Sequence, residues 1–278
     1  MELLLSFPDM LSKPEELHLQ RAVGQEPRTR EWLRRAISRM VRGGVIRPVA
    51  GSHQRVFEVS VPYAEKVPLD EADLALEANP YAAISHLSAL IAHGMTERLP
   101  KSTCLTTPRD ALNSGVLPLG TRHDDWIGLA LPQPFLPTRL AGFGYDWITV
   151  HNKWFFGHED RGKLRLANLE RTLLDGLREP ELCGGMGEVL RVWREARGTV
   201  KIPLLIEYGN AFNICVLRQR IGFVMERLGL GHPELEKWKR QAHRGGSSRL
   251  LASAPFAAAH DKDWRLSINC PIEELRRS

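Results

Sequence analysis

One helix-like pattern near the start of the chain constrains the fold more than any other feature. Within residues 26–42, apolar residues recur at the spacing of one helical face: Leu33, Ala36, Ile37, Met40 and Val41. Gly43-Gly44 follows this apolar stripe, and glycine commonly occupies the position that ends a helix. Two short β-prone runs, at 45–49 and 55–59, flank a turn at 51–54. The sequence therefore predicts a helix followed directly by a β-hairpin.

Arginine dominates the side of this predicted helix that faces away from the apolar stripe. At about 100° per residue, that side holds four arginines and a serine: Arg28, Arg35, Ser38, Arg39 and Arg42. Arg30 and Arg34 flank the stripe, and Arg47 and Arg55 fall on the β-prone runs. Residues 26–56 contain eight arginines and two glutamates, a formal charge of +6, whereas the whole chain carries +5. This concentration of charge predicts a nucleic-acid-binding head on a nearly neutral body.

Upstream, Ser12-Lys13-Pro14-Glu15 has the capping-box spacing and predicts a helix through Val23. Two helices and a basic hairpin predict a winged helix-turn-helix at residues 1–67, whose second helix enters the major groove of double-stranded DNA. There arginine can pair with guanine O6 and N7. The predicted DNA-contacting residues are Arg28, Arg30, Arg34, Arg35, Ser38, Arg39, Arg42, Arg47 and Arg55. A solvated basic helix and a protein-docking winged helix are the alternative interpretations.

The next part of the chain carries helix and strand signals in alternation. Residues 62–79 indicate a junction, and Asn79-Pro80 predicts the start of a helix that ends at Gly94. Residues 102–107 and 145–150 are β-prone and are separated by a stretch rich in proline and glycine. We therefore expect short strands and loops in this region.

Beyond residue 163 the predicted elements are mainly helical. Asn168 predicts the N-cap of a helix at 169–177, with further helices at 187–197, 201–209, 214–228 and after Pro233. Strands followed by helices indicate an α+β fold rather than alternating βαβ units. We expect residues 68–278 to form one mixed α/β C-terminal domain.

The sequence lacks the short motifs that mark nucleotide-binding, zinc-protease and serine-hydrolase sites. Its four cysteines have no spacing typical of a metal site or a disulfide framework. The acids Glu170, Asp175 and Glu179 are interpreted as ion-pair partners of Arg171 or Arg178 on a helix surface. His86 and His93 lie seven residues apart on one side of a predicted helix. A metal site is one interpretation, but the sequence shows no third ligand, so they are interpreted as histidines of a partly exposed helix. We therefore expect neither an enzyme nor a bound metal or cofactor.

No stretch of the sequence reaches the ~20 apolar residues that a membrane-spanning helix needs. The first residues also lack the basic start and long apolar centre of a signal peptide. We expect a cytoplasmic protein with no membrane partner.

Several segments between residues 80 and 230 carry a family resemblance. Residues 80–96, PYAAISHLSALIAHGMT, and residues 169–177, LERTLLDGL, followed by 180–189, are the most recognisable. Residues 155–157, 208–210 and 216–229 follow the same order along the chain. Together these segments resemble the AbiEi family, the antitoxins of type IV toxin–antitoxin systems in abortive infection.

The resemblance implies an N-terminal winged helix that binds operator inverted repeats and represses its own operon. It also implies a C-terminal antitoxin domain that counteracts a nucleotidyltransferase-like toxin without a stable complex. The chain after Trp238 lies outside the resemblance and contains most of a second basic cluster: Lys237, Lys239, Arg240, Arg244 and Arg249. An extended DNA footprint, an acidic partner and a solvated face are the three interpretations of this cluster.

Two other functions stay open from the sequence. A transcriptional regulator of a defence locus would share the DNA-binding head and would have no effect on a toxin. An enzyme acting on nucleic acid would use the winged helix for targeting and would need Asp124, Asp125 or Asp175 for metal-dependent activity.

Overall fold

The computed structural model describes residues 4–6, 26–60, 68–243 and 246–275. Within these ranges the fold is mixed α+β, as the sequence predicted. The predicted domain boundary at residue 67 stays a prediction. The chain divides into two compact units, the first formed by Met1–Ala83, Lys101–Asn152 and Asp160–Arg165, the second by Ile84–Pro100, Lys153–Glu159 and Leu166–Ser278.

The first unit begins with a small sheet and a long helix. In chain order these are β1 (Leu4–Ser6), α1 (Glu26–Arg42), β2 (Ile46–Pro48) and β3 (Val56–Val59). The strands are antiparallel in the order β1-β3-β2, with Arg47 of β2 opposite Glu58 of β3. The predicted helix and hairpin are therefore confirmed, whereas the predicted helix at 12–23 lies outside the described residues.

The apolar stripe of α1 packs against the hairpin. Leu33 and Ile37 are buried in one small cluster with Ile46 and Phe57. Burying apolar side chains of this size contributes about 1.5–3 kcal/mol each, which fixes the helix on the sheet. The opposite side of α1 is consequently the side that faces solvent.

Two backbone hydrogen bonds end α1 at the glycine pair. The N–H of Val45 donates to the Met40 carbonyl at 2.9 Å, and the N–H of Gly44 donates to the Val41 carbonyl at 3.1 Å. This is the Schellman arrangement, which requires a left-handed residue. Gly44 supplies it with φ of +69°.

The region predicted as a junction and a helix has a different structure. Residues after Asp70 form α2 (Glu71–Ala78), and the segment after it forms β4 (Ala83–Ile84) before α3 (His86–Ala92). Asn79 therefore ends one helix and does not begin the next. Its buried side chain donates to Thr107 Oγ1 at 2.9 Å and accepts from the N–H of Tyr81 at 3.2 Å. These contacts hold residue 79 in the core, so the prediction of a helix from Asn79-Pro80 was wrong.

The predicted strands at 102–107 and 145–150 are confirmed and pair with each other. β5 (Thr103–Pro108) runs parallel to β7 (Phe143–Val150), from Thr103 opposite Tyr145 to Pro108 opposite Val150, and β6 (Arg139–Leu140) pairs antiparallel with β7. The next strands are β8 (His158–Arg161) and β9 (Leu164–Ala167). β9 runs parallel to β4, with Leu166 opposite Ile84.

The second unit is built from the predicted C-terminal helices. They are α4 (Leu169–Arg178), α5 (Met186–Ala196), α6 (Ile202–Phe212), α7 (Cys215–Arg227) and α8 (Glu234–Ala242). A small sheet follows, in which β12 (Leu266–Ser267) lies between β10 (Ser248–Arg249) and β11 (His260–Asp261). The core contains three almost fully buried tryptophans, Trp193, Trp238 and Trp264. In the described part of the chain, no helix has both the length and the apolar character of a membrane span.

Candidate nucleic-acid interface

The exposed side of α1 presents several basic side chains. Four arginines and one serine on this side are exposed, and we call this set the arginine face: Arg34, Arg35, Ser38, Arg39 and Arg42. Trp32, 43% exposed, lies on the same side. Arg28 and Arg30 lie on the first turns of α1, and their side chains are outside the described part.

The arginine face is only weakly engaged by the protein itself. Arg35 pairs with Glu31 at 2.5 Å, and Arg42 Nε donates to the Ser38 carbonyl at 3.3 Å. Within the described ranges, the Arg34 and Arg39 side chains make no hydrogen bond or ion pair. An exposed i, i+4 ion pair contributes only about 0.3–0.5 kcal/mol. The pair with Glu31 is therefore too weak to keep Arg35 from binding a phosphate or a base edge.

The hairpin that follows α1 turns through two residues with left-handed backbone. His53 and Gln54 have φ of +49° and +59°, and the N–H of Arg55 donates to the Ser52 carbonyl at 3.0 Å. Two positive φ values in succession are typical of a type I′ turn, which here lies within the longer loop between Pro48 and Val56. The turn leaves Arg55 exposed at the start of β3, while Arg47 is exposed on β2.

The tip of the hairpin lies against a much later part of the first unit. The N–H of Ala141 donates to the Ala50 carbonyl at 2.9 Å. A β-carbon on Gly51 would lie 2.6 Å from the carbonyl oxygen of Arg139, so this approach requires glycine. The hairpin tip is therefore fixed in place by backbone contacts.

An aromatic side chain of the same region supports the tip from one side. The guanidinium of Arg55 lies 4.9 Å from the centroid of the Phe135 ring, and the His53 ring meets that ring edge-on at 6.2 Å. A cation over an aromatic face gains about 0.5–1 kcal/mol at an exposed site. This contact orients Arg55 and leaves its edge free for hydrogen bonds.

Guanidinium groups on one helix face and one hairpin can bind phosphates and base edges together. Arginine presents several N–H donors in a planar fork, which matches two phosphate oxygens or the O6 and N7 of guanine. α1 and the hairpin bring the described predicted residues onto exposed surface in one unit. The contacts of the hairpin with residues 135–141 were not predicted, because no local pattern in the sequence signals them.

Sequence reasoning also missed a chain of polar side chains in the second unit. Arg171 and Asp175, interpreted from sequence as part of a helix surface, are almost fully buried, and Arg171 Nε donates to Asp175 Oδ2 at 2.8 Å. Arg171 Nη1 also donates to the backbone carbonyls of Trp154 and Phe156, at 2.6 and 2.7 Å. The surface interpretation was therefore wrong for this pair, although the ion pair itself is present.

The polar chain continues to the start of α3. Arg178 donates to Glu179 Oε1 at 2.9 Å, and Glu179 Oε2 lies 3.1 Å from His86 Nε2. His86 Nδ1 is hydrogen-bonded to Ser85 Oγ at 2.9 Å, and both residues are buried. His86 is thus a core residue, which corrects its interpretation as part of an exposed face. Ser85, His86 and Glu179 therefore form a hydrogen-bonded network at the start of α3.

The carboxyl group of Glu179 makes the second unit sensitive to acid. Burial opposes ionisation, but the hydrogen bond from His86 and the charge of Arg178 outweigh it and lower the pKa from 4.5 to about 2. Because folding lowers this pKa, the ionised carboxylate stabilises the folded state. This stabilisation is fully present above pH 4.5 and is lost as the pH falls towards 2. We expect urea midpoints to fall through this range, and to fall less in a Glu179→Gln variant, which has no proton to gain at this position. An equal loss in both proteins would contradict the role of Glu179.

The other candidate groups form no metal centre. Among the described residues, no cluster of three histidine, cysteine or acidic side chains has the arrangement of a metal site. Asp125 instead accepts from the N–H of Arg122 at 2.7 Å. In the second basic cluster, Lys237 pairs with Glu234 and Lys239 pairs with Glu226, whereas Arg249 donates to the Ala254 carbonyl. Arg244 lies outside the described residues.

Comparisons with known proteins show a distant structural relative. No family model matches the sequence, and no curated protein matches it. The fold resembles the crystal structure of the Rv2827c protein from Mycobacterium tuberculosis, with a TM-score of 0.53 and 13% sequence identity. The alignment covers 99% of this chain and 88% of that chain. At this level of identity, the likeness shows a shared fold alone.

Proposed function

We propose that this protein is a DNA-binding autorepressor and antitoxin of a type IV toxin–antitoxin system, acting in the cytoplasm. One observation carries the DNA-binding half: the arginine face of α1 is exposed and adjoins a hairpin that also presents arginines. The helix and the hairpin form the second half of a winged helix-turn-helix, in which α1 enters the major groove and the hairpin contacts the backbone.

The exposed arginines divide by geometry into two groups of expected contacts. Arg35 and Arg39 lie one helical turn apart on the side of α1 opposite Leu33 and Ile37, so they face the floor of a groove entered by that side. Arg47 and Arg55 lie on the hairpin, beyond the end of α1, and we expect them to contact phosphates. Phosphate contacts fix orientation, and base contacts fix sequence preference.

The antitoxin half of the proposal is supported by the sequence resemblance of residues 80–230 to the AbiEi family. The toxin would be a nucleotidyltransferase-like protein that this chain opposes without a stable complex. Induction of the neighbouring gene should arrest growth of a host cell, and co-expression of this chain should restore it. A toxic neighbour that this chain does not rescue would leave only a transcriptional regulator.

We expect replacement of Arg35 and Arg39 by alanine to weaken operator binding by about 1–3 kcal/mol for each arginine that reads a base. The measurement is fluorescence anisotropy on DNA from upstream of the gene and on scrambled DNA, over a salt series. Without these arginines the preference for native DNA should fall, because the remaining phosphate contacts are indifferent to sequence. Arg197→Ala is the matched control, since it removes one exposed arginine from the second unit.

The same titrations test the DNA-binding half of the proposal. The parent protein should bind native DNA more tightly than scrambled DNA. The slope of log K against log salt concentration should be about −0.9 for each phosphate contact. Salt-sensitive binding without preference would indicate a nonspecific nucleic-acid binder. Unchanged affinity in both single variants and the double variant would remove α1 from the interface.

A further inference from the structure

The hairpin tip and the segment beneath it share an unusual charge composition. Residues 43–57 and 131–145 contain no acidic residue, although acidic residues make up 33 of the 278 in the chain. Together these two segments contain three exposed arginines, Arg47, Arg55 and Arg139, which we call the tip patch. The hairpin contacts bring these segments together, although they are far apart in sequence.

Arg139 is held at the hairpin tip by its backbone, while its side chain is exposed. The Arg139 carbonyl lies against Gly51. Two residues later, the N–H of Ala141 donates to the Ala50 carbonyl. Arg139 Nη2 donates to the Gly142 carbonyl at a long 3.3 Å. Within the described ranges, its other guanidinium nitrogens have no partner. Glu58, which lies opposite Arg47, is the acid that follows the hairpin turn. A guanidinium with free donors, on segments that themselves carry no carboxylate, is suited to an anion.

We propose that the tip patch is one composite phosphate-binding surface, so that the DNA backbone contacts Arg139 as well as the hairpin. This inference rests on the proposed DNA-binding function and extends it beyond the N-terminal head. Arg55 is oriented for this surface by its stacking on Phe135. A row of phosphates along duplex DNA is the partner that fits, because separate exposed cations can each contact one phosphate.

The test compares Arg139→Ala, Arg139→Lys and the control Arg197→Ala in the anisotropy assay over a salt series. Arg139→Ala should weaken binding to native and scrambled DNA equally, by up to about tenfold at 0.1 M salt, and should lower the salt slope by about 0.9. Arg139→Lys should retain the slope, because a lysine also neutralises one phosphate. Arg197→Ala should leave both affinity and slope unchanged.

Each result decides the inference and separates it from the proposed function. If Arg139→Ala binds like the parent while Arg35→Ala and Arg39→Ala are weakened, the composite surface is wrong and the DNA-binding function stands. If Arg139→Lys is as weak as Arg139→Ala, charge is not what matters there and the inference is overturned. If the parent itself binds no DNA, the proposed function fails and this inference with it. Unchanged thermal midpoints in the Arg139 variants confirm that the exposed substitutions leave the fold intact.

Discussion

Replacement of Asp175 by alanine is expected to lower the free energy of unfolding of the second unit by about 3–5 kcal/mol. Asp175 is 1% exposed and is the acidic partner of the fully buried Arg171. Without the carboxylate, the guanidinium keeps its charge in a site that water does not reach. Its stacking on Phe156 and Phe212, with ring centroids 4.9 and 4.8 Å away, cannot replace a full negative charge.

The measurement is a shift of the urea midpoint followed by circular dichroism. Glu195→Ala is the matched control, because Glu195 forms the same i, i+4 pair with Arg191 at 2.6 Å on an exposed surface. Glu195→Ala should lower the free energy of unfolding by no more than about 1 kcal/mol. Asp175→Asn should lie between the two, since the amide keeps an acceptor for Arg171 Nε and loses the charge. Similar losses of stability for Asp175→Ala and Glu195→Ala would contradict the importance of burial.

Gly222→Ala in α7 is expected to have the second large effect. It should lower the free energy of unfolding by about 3 kcal/mol, because the added methyl group overpacks the core. A β-carbon at residue 222 would lie 2.0 Å from Cη2 of Trp264. The ring cannot easily withdraw, because it is 1% exposed and its indole N–H donates to Glu226 at 2.7 Å.

Gly187→Ala in α5 provides the matched control for this helix glycine. No atom lies within 4 Å of the β-carbon that it would add, so the higher helix propensity of alanine should stabilise the protein by up to about 1 kcal/mol. Trp264→Phe removes the clashing ring atoms, and Gly222→Ala should therefore cost less in that background. A destabilisation by Gly222→Ala that is the same in both backgrounds would show that the ring is not its cause.

The parts of the fold that the sequence predicted are those with local causes. α1 follows from an apolar stripe and a glycine pair, and its exposed arginines follow from the same periodicity. The α4 helix was predicted from its N-cap, and Asn168 does accept from the N–H of Arg171 at 2.9 Å. In each case, residues within one or two helical turns determine the structure.

The predictions that were wrong concern residues whose structure depends on contacts with distant parts of the sequence. Asn79-Pro80 has the local chemistry of a helix start, but the hydrogen bond to Thr107 joins residues 28 positions apart and sets a different conformation. Arg171 and Asp175 have the spacing of a solvated pair, and only the packing of Phe156 and Phe212 around them reveals their burial. Neither local pattern indicates which distant residues pack against these side chains.

The docking of the hairpin tip also decides how this protein can be divided for experiment. A fragment that stops at residue 67 keeps α1 and the hairpin but lacks Phe135, the Arg139 carbonyl and the Ala141 N–H. The tip would then be free to move, and Arg55 would have no ring to orient it. The smallest piece that preserves the geometry of the hairpin tip therefore has to extend at least through Ala141. If the proposed function holds, a fragment that ends at residue 67 should bind DNA more weakly than the full chain.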